Sequence, residues 1–149
     1  MTTKIYESIG AIDTDFLKLI NHDNNRYFSK SFLYSFENSN PKIDVRYICI
    51  SANQKPKAIA LVQIVKLSVD VILKNIKVSA LSKSILSKFF CNEHIKIMFC
   101  GNVFLSGEYG ICFAVNANRK KAVGQIGKAL DVISKSVKPD GTLIFAISP

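Results

Sequence analysis

Two stretches of this 149-residue chain combine residue types that can do chemistry. The first runs Gly101-Asn102-Val103-Phe104-Leu105-Ser106-Gly107-Glu108-Tyr109-Gly110 and lies between two apolar segments. Glycines at that density mark backbone positions that need positive φ or a close approach. Glu108 is the only carboxylate between Glu93 and Asp131. At a strand edge, with burial raising its pKa towards neutrality, it would serve as a general base. The plainer account of the same residues is a hairpin loop whose glycines serve geometry and whose glutamate is solvated.

The second stretch is Asn116–Leu130, NANRKKAVGQIGKAL. A helix that starts just after a strand, with Arg119, Lys120, Lys121 and Gly124 at its head, suits a phosphate. Free backbone amides and the helix dipole both point at the anion. The competing account places Gly124 and Gly127 inside the first turns of the helix, where they permit close packing on a sheet.

Metal and nucleophile chemistry find less support. Cys91, His94, Cys100 and Cys112 open with a Cys-x2-His word, but the later spacings match no usual zinc module. We therefore expect no metal. His22 and His94 are the only histidines, and neither stands in a Ser or Cys triad context.

The elements that must position these residues follow from periodicity. Phe16, Leu17 and Ile20 share a helical face, with Asp13 and Thr14 as candidate caps. Ser29 can cap a second helix carrying Phe32, Leu33 and Phe36, with Phe28 and Leu33 at the two positions of a hydrophobic staple; the segment Asn38–Pro41 ends it. Val45–Ile50 is a strand, Ser51–Lys57 a polar turn, and Ala58–Val65 a strand buried on both faces. A strand over Val71–Val78 and a helix over Leu81–Phe90 come next. Ile95–Cys100 and Ile111–Val115 are strands flanking the glycine-rich loop. Val123, Ile126, Leu130, Ile133 and Val137 then form one helical stripe, with Lys121, Lys128 and Lys135 on the wet side. Pro139-Asp140-Gly141 stops that helix before a buried strand over Thr142–Ile147. A strand–helix–strand unit of this length implies parallel pairing and a right-handed crossover. The expected fold class is thus α+β, with layered helices, a mixed, mostly antiparallel central sheet and one βαβ crossover.

Composition bounds the rest. Apolar residues are 48% and charged residues 21%, which suits one globular domain over 1–149 and is too apolar for a disordered chain. The longest apolar run, Ala58–Val65, is interrupted by Gln63 and falls short of the ~20 residues of a membrane span. The N-terminus has no apolar centre and so is no secretory signal. Four sparse cysteines, three of them in strand-like runs, fit reduced core residues of a cytoplasmic protein. The net charge of +9 concentrates after residue 45. Arg119, Lys120, Lys121, Lys128, Lys135 and Lys138 are opposed in their own stretch only by Asp131. Such a surface attracts anions, although Arg and aromatics are not interleaved in it as nucleic-acid readers interleave them. Ending two residues after an apolar strand suggests one lobe of a larger architecture, or completion by another chain.

Several words of the sequence resemble a known superfamily. The unit Gly110–Ile147 is similar to the acyl-CoA-binding core of GCN5-related N-acetyltransferases. In RKKAVGQIGKAL, Lys121 stands where that family's signature has Gln or Arg, Gly124 matches its glycine, and Ile126 replaces its second small residue. FSKSFLYSFENS (Phe28–Ser39), KPKAIALVQIVKL (Lys55–Leu67) and IKIMFCGNVFLSGEYGICFA (Ile95–Ala114) resemble the N-terminal lobe of bacterial two-lobed acyltransferase-like proteins related to the Fem-type peptidoglycan aminoacyltransferases. The resemblance implies an acyltransferase-like protein that moves an acyl group from acetyl-CoA, another acyl-CoA or another carrier to an amine. In that reading Ile111–Val115, with Asn116 after it, offers backbone groups to a pantetheine arm. Arg119, Lys120, Lys121 and Gly124 hold the pyrophosphate, and Glu108 takes the amine's proton. The alternatives are a catalytically silent lobe acting as a structural or interaction module, completed by a second lobe or another copy, and, less favoured, a basic nucleic-acid-binding domain.

Overall fold

Strands in the middle of a sheet must be apolar on both faces, and Ala58–Val65 is nearly so throughout. In the computed structural model, which describes residues 1–22, 26–69, 93–102 and 110–144, that segment is the central strand. It spans Lys55–Ser68 (β3), and Ala58–Ile64 within it are buried without interruption. Upstream lie β1 (Thr2–Tyr6), α1 (Thr14–His22), α2 (Lys30–Ser39) and β2 (Asp44–Ala52). Downstream come β4 (His94–Cys100), β5 (Ile111–Phe113), α3 (Arg119–Val137) and β6 (Gly141–Ile144). The sheet order is β1-β2-β3-β4-β6, with β5 also paired to β3. Four pairings are antiparallel and one, β4 with β6, is parallel. The layered α+β class with a mostly antiparallel sheet is what the periodicities predict.

Alternation along the strands divides the apolar residues between two cores. Val45, Tyr47, Cys49, Ile59, Leu61 and Cys112 face α1 and α2, where Phe16, Ile20, Leu33 and Phe36 cover them. Ile48, Ile50, Ala58, Ala60, Val62, Ile64, Met98 and Cys100 face α3, which contributes Ala122, Ile126, Ala129, Leu130 and Ile133. The buried stripe of α3 is therefore rotated from the expected one. Val123 is 36% exposed, and Ala122 and Ala129 lie against the sheet instead. Small residues there let the helix approach the strands closely.

Local signals hold where they are self-contained. Ser29 caps α2, its Oγ accepting from the Phe32 amide at 3.3 Å, and Phe28 and Leu33 are both buried. The Asp13 carboxylate caps nothing in α1. It accepts from Lys4 Nζ (2.9 Å) and Tyr6 Oη (2.8 Å), which hold its carboxyl below the usual range. The β2–β3 turn is tighter than Ser51–Lys57. Asn53 and Gln54 both take positive φ (50° and 61°), as a two-residue type I′ hairpin requires, so Pro56 falls within β3. The α3–β6 connection is fastened to β4. The Lys96 amide donates to Asp140 Oδ2, the Asp140 amide donates to the Lys96 carbonyl, and Lys96 Nζ donates to the Val137 carbonyl, each at 2.8 Å. Lys138, at φ 49°, supplies the left-handed residue that ends α3, ahead of Gly141. The strand expected over Val71–Val78 and the helix over Leu81–Phe90 lie outside the described residues, as does the end of Thr142–Ile147.

Candidate ligand site at the start of the long helix

The glycine-rich stretch does not join a hairpin. β4 pairs with the far half of β3, Val62↔Cys100 to Ser68↔His94, and β5 pairs with its near half, Ala60↔Ile111 to Ala58↔Phe113. Both run antiparallel to β3 on the same side, so β4 and β5 are collinear pieces of one strand line. Leu61 sits at the break and holds both ends. Its carbonyl accepts from the Gly101 amide (2.9 Å), and its amide donates to the Gly110 carbonyl (2.8 Å). Gly101 takes φ 138°, and a methyl on Gly110 would sit 2.6 Å from the Gly101 Cα. Those two glycines are thus set by backbone conformation and backbone contact. Residues 103–109, Glu108 among them, lie outside the described residues.

β5 turns alternate backbone groups away from the sheet. The Gly110 carbonyl and the Ala114 amide bond to β3, the latter to the Lys57 carbonyl at 2.9 Å. Antiparallel alternation then aims the polar groups of Ile111 and Phe113 at the opposite edge. Among the described residues no strand pairs with that edge of β5. β5 is shorter than Ile111–Val115: a turn closed by the Ala117 amide on the Ala114 carbonyl (2.9 Å) follows it, and Val115 and Asn116 stand exposed at its tip.

α3 begins directly after this turn. Asn118 caps it, Oδ1 accepting from the Lys121 amide at 3.0 Å, and the Ala122 amide bonds to the Asn118 carbonyl at 2.9 Å. The amides of Arg119 and Lys120 belong to the first turn, whose N–H groups have no intrahelical acceptor. The Arg119 guanidinium lies over the Phe113 ring, 5.5 Å from its centroid, which ties the first helical cation to β5. Arg119, Lys120 and Lys121 are all exposed, and no acid stands in the first turn. The structure therefore gathers Val115, Asn116, Arg119, Lys120 and Lys121 at one end of the sheet. Gly124 is one turn further along α3.

Gly124 and Gly127 are inside the helix but pack on none of the described residues. Both are exposed, and a Cβ at either position meets no atom within 4 Å. The close-packing expectation for them is corrected, because the buried stripe runs on the opposite side of α3. Gly124→Ala should accordingly raise stability by about 0.5–1 kcal/mol, the helix-interior preference of Ala over Gly. Urea unfolding of the two proteins checks this.

Cys49, Cys100 and Cys112 are core residues. Cys49 and Cys112 face α1 and α2, whereas Cys100 faces α3, so Cys100 and Cys112 stand on opposite sides of the sheet. Among the described residues no group of three or more His, Cys, Asp or Glu side chains is placed to hold a metal. Burial pushes the Cys49 thiol up to about 12 and the Cys100 thiol to about 11. Only about one thiol in a thousand or fewer would then be thiolate at pH 8. Iodoacetamide at that pH should leave Cys49 and Cys100 unmodified in the folded protein and label both in urea, as peptide mass spectrometry would resolve.

An open cleft of about 1090 Å³ lies at the opposite end of α3, and the sequence reading did not anticipate it. Asp44, Ile64, Lys66, Ser68 and Lys96 line it from the sheet face that α3 covers elsewhere. Strand alternation could have shown these residues sharing a face, but not that α3 stops short of them. Its carboxylates are committed within the chain: Glu7 and Asp44 pair with Arg46, and Glu37 accepts from Ile9 and Tyr47.

No protein-family model matches the chain, and no curated protein matches it. Among solved structures, it is similar to that of a tetramutant of the BH1408 protein from Bacillus halodurans. The TM-score is 0.55 at 8% identity, covering 99% of this chain and 84% of that one. At that identity the likeness concerns the fold, and it extends over nearly the whole chain.

Proposed function

We propose that this chain is an acyltransferase-like protein that binds acetyl-CoA, or another phosphopantetheine-borne acyl group, at the start of α3 and passes the acyl group to an amine. The observation that carries the reading is electrostatic. Arg119, Lys120 and Lys121 stand consecutively at the positive end of a 19-residue helix, with no acid in its first turn. Cations there oppose the helix dipole, each by roughly 0.3–1 kcal/mol, and a bound anion relieves that repulsion. Such an arrangement is costly for the free helix and favourable for a pyrophosphate. The outward backbone groups of Ile111 and Phe113 supply a strand-like edge for a pantetheine arm, one turn of chain away.

The reaction asks little more of the protein than alignment. The amine nitrogen attacks the thioester carbonyl, its proton passes to Glu108, and the carbon–sulfur bond breaks to release the thiolate. Tyr109 is the last tyrosine of these 149 residues, so water or a second lobe reprotonates that sulfur. Buried Cys49, Cys100 and Cys112, none of them in a disulfide among the described residues, support a reducing, cytoplasmic setting, and among the described residues no helix is long and apolar enough to cross a membrane.

Calorimetry with coenzyme A and acetyl-CoA tests the proposal. We expect binding that Lys120→Glu weakens at least tenfold while leaving the fold as stable or about 0.5 kcal/mol more so, since Glu suits a helix N-terminus. No heat at millimolar ligand would end it. A second reading has its own support: the polar side chains at this end are cationic or amide, with no acid, hydroxyl, thiol or imidazole among residues 115–121. A catalytically silent binding module fits that set. Ligand binding without thiol release in the presence of amines, unchanged by Glu108→Gln, would favour it.

A further inference from the structure

The cations of α3 extend far beyond its first turn. Lys121, Lys128 and Lys135 recur every seven residues, so they line one exposed strip about 21 Å long at the 1.5 Å rise of a helix. Lys138 continues the charge at the helix end, and Asp131 is the only acid in α3. Each of these lysines is exposed, and none takes part in an ion pair within the described residues. A phosphate at Arg119 and Lys120 leaves Lys128, Lys135 and Lys138 out of its reach, so the strip needs a longer anionic partner.

We propose that this face of α3 docks an acidic helix of a partner protein, laid along it; the inference does not depend on the acyltransferase reading. Charge complementarity identifies the partner's sign, and three further features identify its shape. A seven-residue repeat is the period at which two helices lying side by side present the same positions to one another. Beside the lysines the surface is low, because Gly124 and Gly127 carry no side chains and no described residue lies within 4 Å of where a Cβ would stand at either. Val132, 59% exposed, offers apolar contact beside the charges. A nucleic-acid strand would use stacking aromatics or Arg, and this strip has only lysines past Arg119.

The test titrates the full chain, at low and at physiological salt, with three probes. These are a glutamate-rich amphipathic helical peptide, single-stranded oligo-dT, and vesicles containing phosphatidylglycerol. The peptide should bind most tightly, weaken steeply with salt, and shift backbone NMR signals of α3. Lys128→Glu with Lys135→Glu should weaken it more than tenfold. Lys30→Glu with Lys42→Glu, which removes the same charge from exposed positions elsewhere, should change it less than twofold. Equal loss in both double variants would reduce the effect to net charge and overturn the proposal. Tighter binding of oligo-dT or of the vesicles would overturn it in favour of those partners. Absence of binding by all three at low salt would leave α3 with a merely solvated face, which also refutes it.

Discussion

Gly110→Ala should cost this protein about 3 kcal/mol of folding stability, a substitution that adds a single methyl group. The expectation follows from where the methyl must go. It would lie 2.6 Å from the Gly101 Cα and 3.2 Å from the Gly101 nitrogen, and both belong to backbone that is itself pinned. Gly101 donates to the Leu61 carbonyl while Gly110 accepts from the Leu61 amide, so forcing the glycines apart strains or breaks two hydrogen bonds in the middle of the sheet. Each such bond is worth about 1 kcal/mol net, and overpacking a tight site adds about 1–3 kcal/mol. Against a total stability of roughly 5–15 kcal/mol the effect should be plain in a urea melt. A midpoint within error of the wild type would mean that the two strand pieces are not held at Leu61. Gly124→Ala is the matched control, since the same chemical change at an open helical position should move the midpoint the other way.

Glu37→Ala should be nearly as damaging although Glu37 is only half-buried. Its Oε1 accepts from the Ile9 amide (2.8 Å) and from the Tyr47 hydroxyl (2.7 Å), joining α2, the turn after β1 and the sheet in one contact. Tyr47 is fully buried, and its phenol is pushed far above the ordinary range, by burial first and by the Glu37 hydrogen bond second. Deleting the acceptor leaves two donors without their partner, at about 1–3 kcal/mol for each that stays dry. We expect a loss of about 3 kcal/mol. Glu37→Gln retains an acceptor oxygen and should recover more than half. In a double-mutant cycle, Tyr47→Phe should cost about 1 kcal/mol alone and much less once Glu37 is Ala, because the orphaned hydroxyl is then gone. Additive losses would show that the two side chains act separately.

Both effects come from long-range contacts, and that separates what could be read from the sequence. The cap at Ser29, the staple of Phe28 and Leu33 and the apolar run of β3 are local: each depends on residues a few positions apart, so periodicity and propensity suffice. The basic start of α3 was legible for the same reason, because a strand, an Asn cap and three cations follow one another directly. The orientation of α3 was not. Val123 and Ala122 are adjacent and both apolar, and which faces the sheet is decided by how closely the helix must approach Ala58 and Ala60. Asp13 looked like a cap but was captured by Lys4 and Tyr6 from β1, a strand that local pattern did not place beside it.

The sequence alone therefore determined the layers and the position of the concentrated charge, since burial and helix formation are written in short-range spacing. Only the tertiary structure decided that β4 and β5 are one interrupted strand line rather than a hairpin. A glycine-rich word between two apolar runs is compatible with both, and the choice is made by Leu61, some 40 residues earlier, which has one amide and one carbonyl to give and uses one on each side of the break. The placement of Ile111 and Phe113 beside the head of α3 follows from that choice.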